Sequence, residues 1–130
     1  MGGMIEKYFT KDSTAFEVPE LNWNYIHEEN DMTTEKKVIA WAEARNLIKG
    51  STPQNQMVKL MEEVGELAAA IARNKQDEID DSIGDIRVVL TIIAAMHKKT
   101  SEECYNSAYE VIKDRKGRMI AGVFVKEEDL

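Results

Sequence analysis

The sequence predicts an all-α fold of four to five helices, and three observations carry the prediction. Only 7 glycines and 2 prolines occur in 130 residues, too few for a turn-rich β fold. Hydrophobic residues at 43% beside charged residues at 32% give a globular composition. From Thr33 to Lys113 apolar residues recur at helical spacing, interrupted by strong stop and start signals. The length fits one domain, residues 33–130, able to bury its own core, preceded by an arm over residues 1–32. That arm mixes Tyr8, Phe9, Phe16, Trp23 and Tyr25 with polar residues and shows no period, so it reads as irregular chain packed on the body or on another subunit.

The first helix starts at Thr33 or Thr34 and runs to about Ile48, with Val38, Trp41, Ala42, Arg45 and Ile48 on one side. Gly50 then suits a C-terminal cap, and Ser51 with Pro53 and Gln54 starts a second helix that reaches Asn74. Its apolar stripe is Met57, Leu60, Met61, Val64, Ala68 and Ile71; Lys59, Glu63, Glu66 and Ala70 form a narrower second stripe. A third helix runs from Gln76 or Asp77 to about Lys98, with Ile79, Ile83, Ile86, Leu90 and Ile93 as its core stripe. The fourth spans Ser101 to about Lys113 behind a Thr100 or Ser101 cap, with Cys104, Ala108, Val111 and Ile112 inward. Met119 to Val125 alternates around Ala121 and Gly122, which reads as a short hairpin or an extended tail.

Composition also limits function. A net charge of -7 argues against binding duplex nucleic acid, because affinity for a phosphate backbone comes mainly from Lys and Arg. A polyanionic partner would have to be bridged by a divalent cation. The single Cys104 excludes an internal disulfide and fits a reducing compartment. The start of the chain lacks the pattern of a signal peptide, and Asp85 and Arg87 leave the apolar run to Met96 too short to cross a bilayer. The expectation is a soluble, cytoplasmic protein with no membrane partner.

Chemistry concentrates between Lys59 and Leu90. Glu63 and Glu66 stand one turn apart on one helix, and Glu78, Asp81 and Asp85 share a stripe of the next. That second stripe continues into Val88 and Ile92, so Asp85 falls where a solvated face gives way to buried surface. Three readings compete: a solvated face, carboxylates paired with Arg73 or Arg87, and a hard-cation site, for which oxygen ligands suit Mg²⁺. The basic run Lys113-Asp114-Arg115-Lys116-Gly117-Arg118 is either a solvated patch or a phosphate clamp. Trp41 is either a core aromatic or a stacking surface for a base. His97 fits a helix C-terminus better than a ligand role. A diiron carboxylate bundle would want Glu-x-x-His pairs, and neither His27 nor His97 follows a Glu at that spacing.

The ordered set Gln56-x-x-Lys59-Leu60-x-Glu62-Glu63-Val64-Gly65-Glu66-Leu67 and Asp81-Ser82-Ile83-Gly84-Asp85-Ile86-x-Val88-Val89-Leu90 resembles the MazG-like nucleoside triphosphate pyrophosphohydrolases. The tail Tyr109-x-x-Ile112-Lys113-Asp114-Arg115-Lys116-Gly117 looks like the short, phage-encoded branch of that family, and the resemblance covers Thr33 to Lys126. It implies a helical bundle completed by oligomerisation, as a dimer or tetramer, and Mg²⁺-dependent cleavage of a nucleoside triphosphate, dGTP among the candidates, to monophosphate and pyrophosphate. Mn²⁺ is an expected substitute, and the compartment would be the host cell cytoplasm.

Carried over residue by residue, Glu63 and Glu66 match the first pair of metal carboxylates, Glu62 the acid before them, and Asp85 the aspartate of a second pair. The family carries a glutamate three residues before that aspartate, where this chain has Ser82; Asp81, on the stripe of Asp85, is the expected replacement. Glu62 and Glu63 are the catalytic candidates, Glu63, Glu66, Asp81 and Asp85 the metal ligands, and Lys59, Lys113, Arg115 and Lys116 the phosphate contacts. Trp41, Arg45 and Asn46 are the candidates for the base. The non-enzymatic alternative is an acidic helical module that dimerises and binds a protein partner.

Overall fold

The computed structural model describes residues 32–130; the predicted N-terminal arm lies outside them. Four helices follow in order: α1 Thr34–Ala44, α2 Pro53–Ala72, α3 Gln76–Met96 and α4 Ser101–Ile112. A two-stranded antiparallel sheet, β1 Gly117–Ile120 and β2 Val123–Lys126, and a 3₁₀ turn Glu127–Asp129 complete the chain. The fold is mainly helical, as the composition predicts.

Hydroxyl caps set three of the four helix starts. Thr33, Thr52 and Thr100 each accept from the backbone N–H three residues on, which satisfies a donor that has no partner inside the helix. The N-cap of α2 is therefore Thr52, one residue after the predicted Ser51, with Pro53 in the first turn.

Three helices end alike. Asn46, Asn74 and Lys98 take left-handed backbone angles (φ 56°, 54° and 60°). The next N–H of each turns back to the carbonyl of Ala42, Ala70 and Ala94 respectively. These are Schellman closures with Asn or Lys where Gly is usual. They explain why α1 stops at Ala44 and not near Ile48: Asn46 closes it, and Gly50 packs against Asn46 at a point where a Cβ would strike the Asn46 carbonyl.

The three residues between α2 and α3 make these helices an antiparallel pair, and α2–α3 is the most extensive helix contact of the fold. Beside it, α1 packs on the C-terminal half of α3, where Ala42, Val88 and Ile92 are buried with Val38, Trp41, Leu47, Ile48 and Met96 around them.

The predicted core stripes of α2 and α3 do not face this interior. In α2 the buried residues are Gln56, Glu63 and Ala70, while Met57, Met61, Val64 and Ile71 are exposed. In α3 the buried set is Ser82, Asp85, Val88, Val89, Thr91 and Ile92, while Ile83 and Leu90 are exposed. Each apolar stripe lies about 100° round its helix from the buried line. Because the helices are antiparallel and turned toward each other, the same rotation brings both stripes out on one side. One acid of each carboxylate stripe, Glu63 and Asp85, is buried in the pair's inner seam, and the apolar stripes form an outer face that is half-buried at Ile79, Ile86 and Ile93.

The predicted inward set of α4 is corrected as well. That helix buries no residue, and Cys104, Val111 and Ile112 are exposed. Between it and α3 runs an apolar groove of 610 Å³ lined by Ile83, Ile86, Leu90, Ile93, Cys104 and Tyr105 among others. Among the described residues no helix is long and apolar enough to cross a membrane.

Candidate active site

Helix α2 turns Glu63 to the seam with α3, and α3 places Asp85 on its buried line; both side chains are fully buried. Asp85 is the more informative of the two. No hydrogen-bond donor among the described residues reaches either of its carboxylate oxygens. The neighbouring group is another carboxyl, Asp81, one turn earlier, with the Glu66 charge also acting on it. Burial pushes the Asp85 carboxyl up to about 6, and the negative charges of Asp81 and then Glu66 push the same way. An acid held in this way binds a proton or a cation more readily than a free carboxylate does, because either relieves both the burial and the repulsion.

Glu66 and Asp81 are exposed at the edge of the seam, whereas Ser82 is buried. The carboxyl that acts on Asp85 from its own helix thus belongs to Asp81. Arg87, a candidate partner for these acids, reaches instead to Glu35 at 3.9 Å. Among the described residues no three acidic, His or Cys side chains are gathered closely enough to enclose an ion. The ligand atoms nevertheless fit a hard cation: they are all carboxylate oxygens, and Asp85 is a buried acceptor that no donor reaches among the described residues.

The other predicted residues occupy two further places. Glu62 pairs with Lys59 at 3.3 Å on the half-exposed side of α2. Lys113, Arg115 and Lys116 lie at the junction of α4 with the hairpin, where Lys113 pairs with Glu110 at 2.6 Å. There Arg115 and Lys116 line an open cleft of 630 Å³ together with Asp114, Glu127 and Glu128. On α1 the Arg45 guanidinium stands 4.7 Å from the centroid of the Trp41 ring and donates to the Trp41 carbonyl, with exposed Asn46 beside it. Trp41 itself is half-buried against the core. His97 is the C-cap residue of α3, its Nδ1 2.9 Å from the Ile93 carbonyl.

One buried acid escaped the sequence reading. Glu35, in the first turn of α1, accepts from the Ser101 N–H and from the Ser101 hydroxyl at 2.6 Å, with Thr91 at 3.4 Å. It ties α1 to α3 and to the start of α4, satisfying a donor of that helix terminus. No sequence signal separates it from an ordinary acid favoured by the helix dipole.

Fold and seam together define a class: a helical protein whose two central helices turn acids inward and leave their apolar stripes outside. Residues 51–120, more than half of the chain, match the MazG nucleotide pyrophosphohydrolase domain, and the protein belongs to that family. Over 59 residues it is 58% identical to an uncharacterised 18.2 kDa protein of the rep-hol intergenic region of Haemophilus phage HP1 (strain HP1c1). That match covers 45% of this chain and 36% of the phage protein, so the chain matches about a third of that relative's length. No solved structure gives a significant match.

Proposed function

We propose that this protein hydrolyses a (deoxy)nucleoside triphosphate between the α and β phosphates, releasing a monophosphate and pyrophosphate and so controlling a nucleotide pool. The observation that carries the reading is Asp85, fully buried, without a donor among the described residues and beside two further acids, in a chain of the MazG family. Glu63, Glu66, Asp81 and Asp85 would hold Mg²⁺, or Mn²⁺ in its place. When bound, such an ion neutralises phosphate charge and lowers the pKa of water.

Glu62 accepts the proton of the attacking water, with Glu63 beside it, and Lys59 holds Glu62 in place until the substrate's phosphates draw the ammonium away. Lys113, Arg115 and Lys116 contact the phosphates. Trp41, Arg45 and Asn46 form the platform for the base, which stacks on the Arg45 guanidinium or on the ring beneath it. The enzyme works as a homo-oligomer, dimer or tetramer, whose contact includes the outer apolar face of α2 and α3, since exposed apolar patches of this kind mark association sites. Its setting is the cytoplasm, that of the host if the chain is phage-encoded.

Pyrophosphate release from a panel of deoxynucleoside and ribonucleoside triphosphates, with and without Mg²⁺ and beginning with dGTP, tests the reading. Release that stops on chelation supports it. The exposed apolar face also favours a second reading, a non-catalytic dimerising module. Absence of release from every nucleotide, in a protein that still self-associates, would select that module.

A further inference from the structure

We propose that residues 16–26 of this chain lie in the apolar groove between its own α3 and α4. The inference is independent of the catalytic reading, since neither the groove nor that segment carries a residue of the proposed catalytic site.

The walls of the groove are Ile83, Ile86, Leu90 and Ile93 of α3 with Cys104 and Tyr105 of α4, and they enclose 610 Å³. Ile83 is 55% exposed and Tyr105 71%, although both face apolar neighbours across the groove. Helix α4 buries none of its own residues, yet its place beside α3 is fixed by the Thr100 cap and by Glu35 on Ser101. Most helical stability in proteins comes from a packed apolar face, and contiguous apolar surface of this extent marks a docking site.

Three features of the chain identify the occupant. The first is where the preceding segment enters. Residues 1–31 lead into Met32, two residues before α1 begins. In the first turn of α1, Glu35 accepts from the Ser101 hydroxyl at 2.6 Å and faces Arg87 at 3.9 Å, and both Ser101 and Arg87 line the groove. Met32 is three residues from Glu35, at most about 10 Å along the chain. The segment therefore joins the fold at the rim of the groove.

The second is reach. From Ile83 to Ile93 the α3 wall is about 15 Å long, at a rise of 1.5 Å per residue. Residues 27–31 supply a lead of up to about 17 Å, and residues 16–26 extend to about 36 Å, enough to run the length of the wall.

The third is chemistry. Residues 16–26 include Phe16, Val18, Leu21, Trp23, Tyr25 and Ile26, apolar surface that matches the groove, with aromatic rings suited to the exposed Tyr105 ring. From 16 to 31 the charged residues are Glu17, Glu20, Glu28, Glu29 and Asp31, with no Lys or Arg. The lining of the groove holds Arg87 and Lys99 and no acid. In a chain of net charge -7, an acidic segment is steered to such a rim. A second copy is the competing occupant, but α2 offers that copy Met57, Met61, Val64 and Ile71, none of which lines the groove.

Photo-crosslinking in the full chain tests this, with p-benzoylphenylalanine in place of Trp23, one aromatic for another. Irradiation is expected to join residue 23 to peptides of the groove walls, within residues 83–105, in a product that runs as a single chain on a denaturing gel. A groove link found only in a product of two chains would overturn the proposal, because the segment would then dock on another copy. Links elsewhere, or none, would overturn it too.

Cys104, the single cysteine of the chain and a wall of the groove, gives a second readout. In wild type it should react with iodoacetamide about tenfold more slowly than in the double variant Leu21→Asp, Trp23→Asp, because thiol reactivity follows exposure. Circular dichroism reports whether the variant keeps its helices. Equal rates in wild type and folded variant would overturn the docking, and if the variant unfolds the crosslink alone decides.

Discussion

The two halves of α3 present the same stripe to different neighbours. Toward its C-terminus Val88 and Ile92 pack with Ala42 of α1 in an ordinary apolar core. One turn before Val88 and Val89, the stripe buries Asp85 in the seam with α2, beside Asp81 and within the field of Glu66. One half lowers the free energy of the fold. The other raises it, and a buried acid of that kind is tolerated where function requires it. Substitutions in the two halves should therefore move stability and activity in opposite ways.

The largest expected effect is on turnover. Asp85→Asn keeps the shape but removes the charge, and pyrophosphate release should fall by about 100- to 1000-fold, since charge-stabilising groups at reaction centres act on that scale. The same variant should melt no lower than wild type in the absence of metal, as read by thermal unfolding. A variant that is unstable yet active would erase the contrast.

Next is the apolar half. Ile92→Ala should cost about 2–5 kcal/mol of unfolding free energy in denaturant titration, the range for truncating a buried Ile. Turnover per folded molecule should stay close to wild type.

Glu35→Ala sharpens the comparison, because Glu35 is a buried acid that does have donors. It should destabilise the protein by about 1–3 kcal/mol, leaving the Ser101 N–H and hydroxyl without their acceptor. Asp85 and Glu35 then differ in sign for a stated reason: among the described residues no donor reaches the first, and the second is supplied with them.

A smaller effect separates Asp81 from Ser82. Asp81→Ala should lower turnover about tenfold or more, the scale at which groups supporting a metal site act, and should return Asp85 toward ordinary acidity. Ser82→Ala should leave turnover near wild type. A fully active Asp81→Ala enzyme would remove Asp81 from the site.

The smallest effect is on pH. Asp85 titrates near 6 in the folded protein and near the ordinary value for an aspartate when unfolded, so between those values the folded state binds more protons. Metal-free protein should accordingly lose stability as pH rises from about 4 through 6 and level off above, a slope that Asp85→Asn should reduce. Melting temperatures of both proteins across that range check the sign.

Much of the fold was legible because its signals are local. Thr33 and Thr100, the break around Gly50 to Pro53 and the periodicity placed the helices to within a few residues. The end of α1 was misplaced because Asn46 performs a closure that Gly50 imitates in sequence. The larger miss was orientation. Periodicity finds an apolar stripe but not what covers it, and in α2 and α3 the stripe richest in apolar residues faces outward.

By itself the sequence determined the helices, the pairing of Glu63 with Glu66 on one stripe, and Asp81 with Asp85 on another, because spacing along one helix fixes direction, while it left the residues after α4 open between a hairpin and an extended tail. Only the tertiary structure decided that Glu63 and Asp85 are buried in the inner seam with Glu66 and Asp81 at its edge, that Asp81 rather than buried Ser82 acts on Asp85, and that Glu35 holds α1 to α4. The physical reason is that burial and charge coupling belong to pairs of elements, and no single helix contains its neighbour.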